Sequence, residues 1–286
     1  MPVRAELTPR GPYSLRVSGR LASDATRVVV DGTYRATFRH GDALERVHAA
    51  QRADGSIVVA ADSEAGVEHV RWVLGLDDDH SEFVQRFADD PLLGETLRRI
   101  RGLRPVRTAT VAQALLRAVA GQLIQAKRAR EIERTIIRAC TPKLGDLHAA
   151  PTCADLARFS PPELGRLGLG ARRASALIRL TRALDLERLK EHPTATVVTR
   201  LIRERGLGPW SAGVVCLEGL GRYEVGLARD LGLARLAGAL WGRHVEPEEA
   251  DVLLAPYEEW AGLASVYLLA GYHAGFVPLT GARLAA

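Results

Sequence analysis

Two features in the second half of the chain combine backbone donors with a carboxylate. The first is a glycine turn at Gly206 and Gly208, followed at once by Pro209, and the second is Asp230 farther along the chain. Glycine permits a positive φ and a close backbone approach, while proline suits the first turn of a new helix. A helix that starts here would offer unpaired N–H groups and the positive end of its dipole to a phosphate. A carboxylate just downstream could act on what that phosphate positions, which favours chemistry on DNA.

The uneven distribution of charge favours a polyanionic partner. The 286 residues carry a net charge of +5, yet residues 1–100 hold 13 basic and 16 acidic side chains, whereas residues 101–286 hold 26 and 18. Basic side chains that neutralise phosphates release counterions, and this release drives binding to nucleic acids. Only Lys127, Lys143 and Lys190 are lysines, and all other basic residues are arginines. A merely soluble basic surface is the alternative.

The cysteines and the hydropathy pattern predict a cytoplasmic protein. Three widely spaced cysteines, Cys140, Cys153 and Cys216, argue against a disulfide framework, a zinc knuckle or a four-cysteine cluster. The N-terminus lacks the basic-then-apolar pattern of a signal peptide. One nearly uncharged run, residues 261–282, contains glycine, histidine and proline, and it suits a buried helix better than a membrane span. We therefore expect no membrane segment.

Two hydrophobic periods divide the chain and predict an α+β fold. Alternating runs separated by Gly and Asp predict an antiparallel sheet, with strands at residues 13–17, 27–30, 34–38 and 56–60. After Glu64 the apolar residues recur with the helical period, and everything beyond Pro105 has a helical pattern. The clearest predicted helices are 110–139, 171–185, 194–204, 209–219, 231–241 and 258–275. A small N-terminal antiparallel sheet with helices therefore precedes a larger, mostly all-α part.

The glycine turn and its flanking helices resemble the hairpin of the helix-hairpin-helix DNA glycosylase superfamily. Residues 228–233, which include Asp230, are similar to the catalytic-aspartate segment of its alkylation-repair branch, DNA-3-methyladenine glycosylase II. The similarity extends to five further segments, at 79–83, 90–92, 101–105, 120–124 and 172–177. The resemblance covers residues 75–278 and is less specific in the N-terminal sheet.

The resemblance implies three parts, with the active site in the cleft between the two helical ones. The parts are an N-terminal sheet-containing domain (1–75), a helical domain (105–222) with the hairpin at 201–215, and a second helical subdomain (76–104 plus 223–286). The resemblance assigns DNA contacts in the hairpin to Gly206, Gly208, Ser211 and Ala212. We expect the helix-hairpin-helix glycosylase fold to follow the N-terminal sheet.

Asp230 stands where the family keeps its essential aspartate, and the resemblance therefore assigns catalysis to it. Such a carboxylate stabilises the oxocarbenium-like sugar that forms when an N-glycosidic bond breaks, and it orients or deprotonates water. Glycosylases that also cut the strand need an amine nucleophile. In those relatives a lysine occupies the position of Trp210, and no lysine follows Gly206 in this chain. We expect a monofunctional enzyme that leaves an abasic site. The alternative role for Asp230 is a helix N-cap alone.

The resemblance also implies a wedge and a base pocket. A side chain must fill the gap that a flipped nucleotide leaves in the duplex, and the wedge falls on Leu123 beside Gln122. Leu123 also has the spacing of a helical core residue, which is its alternative role. The pocket falls on Trp210, Val214, Leu231 and Leu269, and the last three stand where the enterobacterial type has aromatic residues. Trp210 would stack on the extruded base or, alternatively, pack the two hairpin helices together.

We expect the partner to be double-stranded DNA that contains damaged bases of the 3-methyladenine or 7-methylguanine type, bound by a monomer. No cofactor and no side-chain metal site are predicted, although the family's hairpin holds a monovalent cation through backbone carbonyls. Three alternatives stay open: a non-catalytic helix-hairpin-helix DNA-binding protein, a glycosylase for mismatches or oxidised purines, and a purely structural helical protein. Enzymes of that second kind usually carry a four-cysteine cluster or a hairpin lysine, and this chain has neither.

Overall fold

A five-stranded antiparallel sheet forms the N-terminal part of the computed structural model, which describes residues 2–279. Its strands are β1 (Val3–Leu7), β2 (Arg27–Val30), β3 (Thr33–His40), β4 (Ala43–Gln51) and β5 (Ile57–Ala61), in the order β1-β5-β4-β3-β2. Helix α2 (Glu64–Val73) packs Val67, Val70 and Val73 into the same hydrophobic core as the sheet. Sheet and helix thereby bury a common apolar face.

The predicted strand at residues 13–17 is wrong. The Ser14 hydroxyl accepts a hydrogen bond from the Val17 N–H at 3.3 Å and caps a short helix, α1 (Leu15–Ser18). A local cap of this kind satisfies the backbone without strand pairing. The sequence pattern also missed β1 and β4. In β4 only Val47 and Ala49 are buried, so the alternation is too weak to predict a strand.

Helices make up most of the remaining described chain. They are α3 (Ser81–Arg86), α4 (Gly94–Arg99), α5 (Val111–Gly121), α6 (Ala126–Cys140), α7 (Cys153–Ala157), α8 (Pro161–Arg166), α9 (Ala171–Ala183), α10 (Thr194–Arg203), α11 (Pro209–Val214), α12 (Leu231–Trp241) and α13 (Ala261–Ala274). A π-helical turn (Val215–Gly219) continues α11, and 3-10 segments lie at Gly19–Leu21, Glu187–Glu191 and Glu249–Trp260. Two short strands, β6 (Lys143–Leu144) and β7 (Leu147–His148), form a separate ladder. The predicted α+β class is confirmed. No helix in the described range 2–279 is long and apolar enough to cross a membrane.

Two of the predicted helices are interrupted. The helix predicted at 110–139 divides into α5 and α6 at residues 122–125, where Leu123 has a φ of 55°. The helix predicted at 258–275 begins only with α13, because Glu258 has a φ of 44° and breaks the 3-10 segment before it. A left-handed backbone at a non-glycine residue is sterically costly and cannot continue a right-handed helix. Apolar spacing alone does not report this local conformation.

The described residues form three hydrophobic cores. They lie mainly within residues 7–76, within residues 111–227, and within residues 83–100 combined with 233–277. Each core thus lies almost wholly in one of the three predicted parts. Residue 1 of the first part and residues 280–286 of the last lie outside the described residues. Tyr223 and Leu269 are half-buried and pack against both helical cores. These two side chains mark the junction of the two helical parts.

A buried ion cluster joins the N-terminal part to α5. Arg117 on α5 contacts Asp24 at 2.9 Å, Glu133 at 2.8 Å and also Glu218. Burial disfavours a charged guanidinium, but these carboxylates outweigh that effect and raise the pKa of Arg117 well above its usual value. The cluster therefore holds α5 in place, and α5 is the helix that leads into the loop at 122–125.

Candidate active site

The hairpin joins α10 to α11 through a tight glycine turn. Gly206 has a φ of 96°, and a Cβ at this position would also lie 2.9 Å from the Ala176 Cβ on α9. Both constraints favour glycine. The buried Leu207 closes the turn, since its N–H donates to the Glu204 carbonyl oxygen at 3.0 Å. The turn is therefore fixed by local backbone geometry and by packing on α9.

The start of α11 has no side-chain cap. Gly208 is the N-cap residue and Pro209 is the first helical residue, and no side chain makes a capping hydrogen bond to the first turn. The N–H groups of Trp210 and Ser211 lie in this turn, where a helix has no internal acceptor for them. Ala212, in contrast, donates its N–H to the Gly208 carbonyl oxygen at 3.0 Å. The Trp210 and Ser211 amides are thus the donors that this helix start offers to an anion.

Asp230 caps α12 with one of its carboxylate oxygens. Its Oδ1 accepts hydrogen bonds from the N–H groups of Gly232 at 2.7 Å and Leu233 at 3.1 Å. The preceding residue, Arg229, has a φ of 61° and donates its N–H to Oδ1 of Asp251 at 2.6 Å. The N-cap role considered for Asp230 therefore describes Oδ1. It leaves the other oxygen, Oδ2, for a different partner.

Trp210 holds this second oxygen. Its indole Nε1 donates a hydrogen bond to Oδ2 of Asp230 at 2.8 Å. The far edge of the same ring lies against the end of α5, because a Cβ on Gly121 would come within 2.8 Å of Cη2 of Trp210. The carboxylate is thus oriented from two sides, by the α12 backbone and by the indole. At the position that the resemblance assigns to lysine in strand-cutting relatives, this chain has a hydrogen-bond donor to the aspartate.

The other predicted pocket residues have different environments. Leu269 is half-buried between the helical cores, and its Cδ2 would lie 2.6 Å from a Cβ on Gly232. Leu231, the first residue of α12, is 42% exposed, whereas Val214 is 5% exposed. The structure therefore places Leu269 against the start of α12 and leaves Leu231 open to solvent. It buries Val214 in the core that carries the hairpin.

The two predicted wedge residues differ in their surroundings. Leu123 is 88% exposed, so the alternative of a core position for it is wrong. Gln122 is turned toward the hairpin, where its Nε2 donates to the Gly206 carbonyl oxygen at 2.8 Å and to the Ser211 Oγ at 3.0 Å. The Leu123 side chain therefore has no packing partner to displace before it could insert into a bound molecule. The Gln122 amide, in contrast, already has hydrogen-bond partners within the protein.

Three further residues shape the site and were given no role from the sequence. Gly121 and Gly232 allow the close contacts of Trp210 and Leu269 described above. Arg173 on α9 donates from Nη1 to the carbonyl oxygens of Ala120 at 3.1 Å and Gln122 at 3.2 Å. Gly121 and Arg173 both lie in segments that carry the family resemblance. That location was the only signal for them in the sequence.

Among the described residues, no group of three or more His, Cys, Asp or Glu side chains is placed to hold a metal ion. A monovalent cation at the hairpin would depend on backbone carbonyl oxygens. Two of these already accept side-chain donors: that of Arg205 from Arg179, and that of Gly206 from Gln122. Each carbonyl oxygen has two lone pairs, so a cation would share these two oxygens with their donors or use the other carbonyls of the turn.

Comparison with known proteins gives relatives over most of the chain, although no family model matches it. The probable bifunctional transcriptional activator/DNA repair enzyme AlkA of Mycobacterium tuberculosis is 28% identical over 288 aligned residues, which cover 93% of this chain and 56% of the relative. A DNA-3-methyladenine glycosylase of Bacillus subtilis is 25% identical over 213 residues, or 71% of this chain and 70% of the relative. The chain thus spans about half the length of the first of these relatives.

Solved structures share the fold. The 3-methyladenine DNA-glycosylase from Archaeoglobus fulgidus superposes with a TM-score of 0.81 and 22% identity, covering 95% of this chain and 98% of that one. An 8-oxoguanine glycosylase/lyase from Clostridium acetobutylicum, in complex with double-stranded DNA, gives a TM-score of 0.76 and 17% identity. The superposition covers 96% of this chain and 98% of that one. The chain therefore has the fold of the helix-hairpin-helix DNA glycosylases. Its sequence relatives bear names of the alkylation-repair type, which confirms the resemblance to the DNA-3-methyladenine glycosylases.

Proposed function

We propose that the protein is a monofunctional DNA glycosylase that removes alkylated bases, of the 3-methyladenine and 7-methylguanine type, from duplex DNA in base excision repair. The observation that carries the proposal is the Asp230 carboxylate, which is oriented by the α12 backbone and by Trp210. Trp210 itself belongs to the open first turn of α11, so the acid lies beside a phosphate-binding geometry. The names of the sequence relatives support the same activity.

Binding would begin at the hairpin. The Trp210 and Ser211 amides, together with the dipole of their helix, would hold a backbone phosphate without reading sequence. The surplus of arginines beyond residue 100 would add attraction that is not specific to sequence. Leu123 would then fill the gap left by the damaged nucleotide, whose base turns toward the cleft at Leu269.

Asp230 would act as the sugar gains positive charge. The bond between the sugar C1′ and the base nitrogen breaks, the electron pair leaves with the base, and an oxocarbenium-like sugar remains. The carboxylate stabilises this cation and orients or deprotonates the water that attacks C1′. An alkylated purine that is already cationic needs little acid assistance to leave. One carboxylate therefore suffices, and the product is an abasic site.

We propose that the protein does not cleave the DNA strand. A lyase reaction needs an amine that forms a Schiff base with the sugar. Trp210 cannot do this, and its indole N–H is occupied by Asp230.

A monovalent cation held by hairpin carbonyls would add positive charge near the bound phosphate. We further propose that the enzyme acts as a monomer in the cytoplasm.

The test compares three proteins on methylated duplex DNA: the natural protein, Asp230→Asn and Asp42→Asn. Asp42 is an exposed acid in the N-terminal part and serves as the matched control. Freed bases are identified by chromatography, and duplex affinity is measured in parallel. We expect Asp230→Asn to bind duplex DNA as well as the natural protein and to release no base, while Asp42→Asn releases bases normally. Tight binding by the natural protein with no release would instead support a non-catalytic DNA-binding protein.

A further inference from the structure

The loop between α5 and α6, residues 122–125, has little of its own to hold it in shape. We call it the wedge loop. Leu123 is 88% exposed and has a φ of 55°, a conformation that costs a leucine about 1–2 kcal/mol. Gln125, which precedes α6, makes no side-chain capping bond to that helix. A strained residue persists only where its surroundings impose its conformation, so other contacts must hold this loop.

Gln122 supplies the first of these contacts. Its side-chain amide has two hydrogens, and Nε2 donates to the Gly206 carbonyl oxygen at 2.8 Å and to the Ser211 Oγ at 3.0 Å. The first acceptor lies in the hairpin turn and the second lies in the first turn of α11. The amide thereby connects the hairpin turn to the first turn of α11. Ser211 is itself 2% exposed, so its hydroxyl is a fixed acceptor.

Arg173 and Trp210 hold the end of α5 that leads into the wedge loop. The Arg173 guanidinium binds the carbonyl oxygens of Ala120 and Gln122, which the helix end would otherwise leave without donors. Gly121 lies on the Trp210 ring so closely that a Cβ would clash. The backbone on one side of Leu123 is therefore attached to α9 and to the hairpin.

We propose that Gln122 is a positioning residue that ties the wedge loop to the hairpin, so that anchoring of the strand and insertion of Leu123 occur as one event. The inference rests on the proposed function. Extruding a base from the stack costs a few kcal/mol, and a wedge offsets that cost only if it is held in place. Without Gln122, Leu123 must lose more conformational freedom on insertion, so less of the base is extruded while the chemical step is unchanged.

The rival role for Gln122 is direct entry into the duplex beside Leu123. In the structure both N–H groups of its amide are bound within the protein, so entry would require breaking both hydrogen bonds. The two roles predict different couplings between residues 122 and 123. A positioning residue acts through Leu123, whereas a second wedge residue acts independently of it.

The experiment uses Gln122→Ala, Leu123→Ala, the double variant and the control Gln85→Ala, which removes an exposed glutamine on α3, outside the wedge loop and the hairpin. Single-turnover excision is measured on duplexes in which 7-methylguanine is either paired with cytosine or placed opposite an abasic analogue. Base extrusion is measured separately by the fluorescence of 2-aminopurine at the flipped position. This second measurement is made with Asp230→Asn in every protein, so it needs no base release.

We expect Gln122→Ala to lower extrusion and paired excision by about tenfold, the effect of losing one or two hydrogen bonds. Leu123→Ala should lower both by about tenfold as well, because the shorter side chain leaves the gap in the duplex unfilled. The double variant should resemble Leu123→Ala alone, and excision of the unpaired lesion by Gln122→Ala should stay within about threefold of the natural protein. Gln85→Ala should change neither measurement. Losses that multiply in the double variant, or an equal loss on the unpaired lesion, would overturn the proposal. If the Asp230→Asn protein extrudes the base but the natural protein releases none, the proposed function fails, and the fluorescence still decides the role of Gln122.

Discussion

The indole N–H of Trp210 donates a 2.8 Å hydrogen bond to Oδ2 of Asp230, while Oδ1 of the same carboxylate caps α12. Trp210 belongs to the hairpin helix and Asp230 begins the next one. The glycine turn and the acid are therefore joined by a direct contact. Through this contact the first turn of the hairpin helix sets the orientation of the carboxylate.

The first prediction concerns this hydrogen bond. Trp210→Phe keeps an aromatic ring but removes the N–H, so Oδ2 loses its donor, and it also removes the outer ring edge that lies on Gly121. A hydrogen bond to a charged group contributes about 1.5–3 kcal/mol, and we expect base release to fall by roughly ten- to a hundredfold. Single-turnover release and duplex affinity are both measured. Trp241→Phe, at the far end of α12, is the control and should stay within about twofold; unaltered release by Trp210→Phe would contradict the positioning role.

The second prediction concerns the absence of a side chain at residue 232. A Cβ there would lie 2.6 Å from Leu269 Cδ2 and 2.9 Å from Asp230 Oδ1. We expect Gly232→Ala to displace the carboxylate, to slow base release by about tenfold or more, and to lower the free energy of unfolding by about 1–3 kcal/mol. Gly165→Ala is the control, because a Cβ on that helical glycine would meet nothing within 4 Å. Base release and denaturant melts report the two effects, and a rate equal to that of Gly165→Ala would show that the contact is relaxed at no cost.

The third prediction concerns pH and two histidines, the buried His80 and the half-buried His69. Burial lowers the pKa of His80 to about 4 and that of His69 to about 3, from an ordinary value of 6.5. As the pH falls below 6.5, these histidines become protonated in the unfolded chain. In the folded protein they stay neutral until the pH reaches their lower pKa values. Stability from each histidine is complete above pH 6.5 and is lost as the pH falls, by about 1.4 kcal/mol per pH unit.

Chemical denaturation between pH 7 and pH 4.5 tests this expectation. His80 packs edge-on against Tyr223 with ring centroids 4.5 Å apart, and both of its ring nitrogens lack a partner among the described residues. Phenylalanine should therefore replace it without losing a hydrogen bond. His80→Phe should remove about half of the pH dependence in this range. The same slope in His80→Phe as in the natural protein would rule out His80 as a source.

The fourth prediction concerns the ion cluster around Arg117. Replacing it with methionine keeps much of the volume but leaves the Glu133 carboxylate buried without its cation and Asp24 with only Arg27. Breaking a buried ion pair in this way costs about 3–5 kcal/mol, so we expect a loss of that order in the free energy of unfolding. Arg35→Met breaks an exposed pair with Asp146 and should cost less than about 1 kcal/mol. Equal losses in the two variants would contradict the role of burial.

Local chemistry explains why much of the site is readable from the sequence. A glycine turn before a proline specifies a helix start whatever surrounds it, and an aspartate before an apolar helical pattern specifies an N-cap. Gly206, Gly208 and Asp230 have these conformations in the structure. The hydrophobic periods likewise predicted the α+β class, because a period reports which face of a strand or helix is buried. Residues such as Ser14, whose cap replaced a predicted strand, show the limit of that reasoning.

Tertiary structure alone decided which side chains meet. Trp210 reaches the second oxygen of Asp230, and Gln122 reaches a carbonyl 84 residues away in the hairpin. Leu123 has the spacing of a core leucine, yet it is exposed because the chain turns left-handed at that residue. The physical reason is that hydrogen bonds across the chain, and the strain they hold in place, depend on how helices pack. A linear pattern of residue types records local preference and burial, and it contains no distance between segments far apart in the chain.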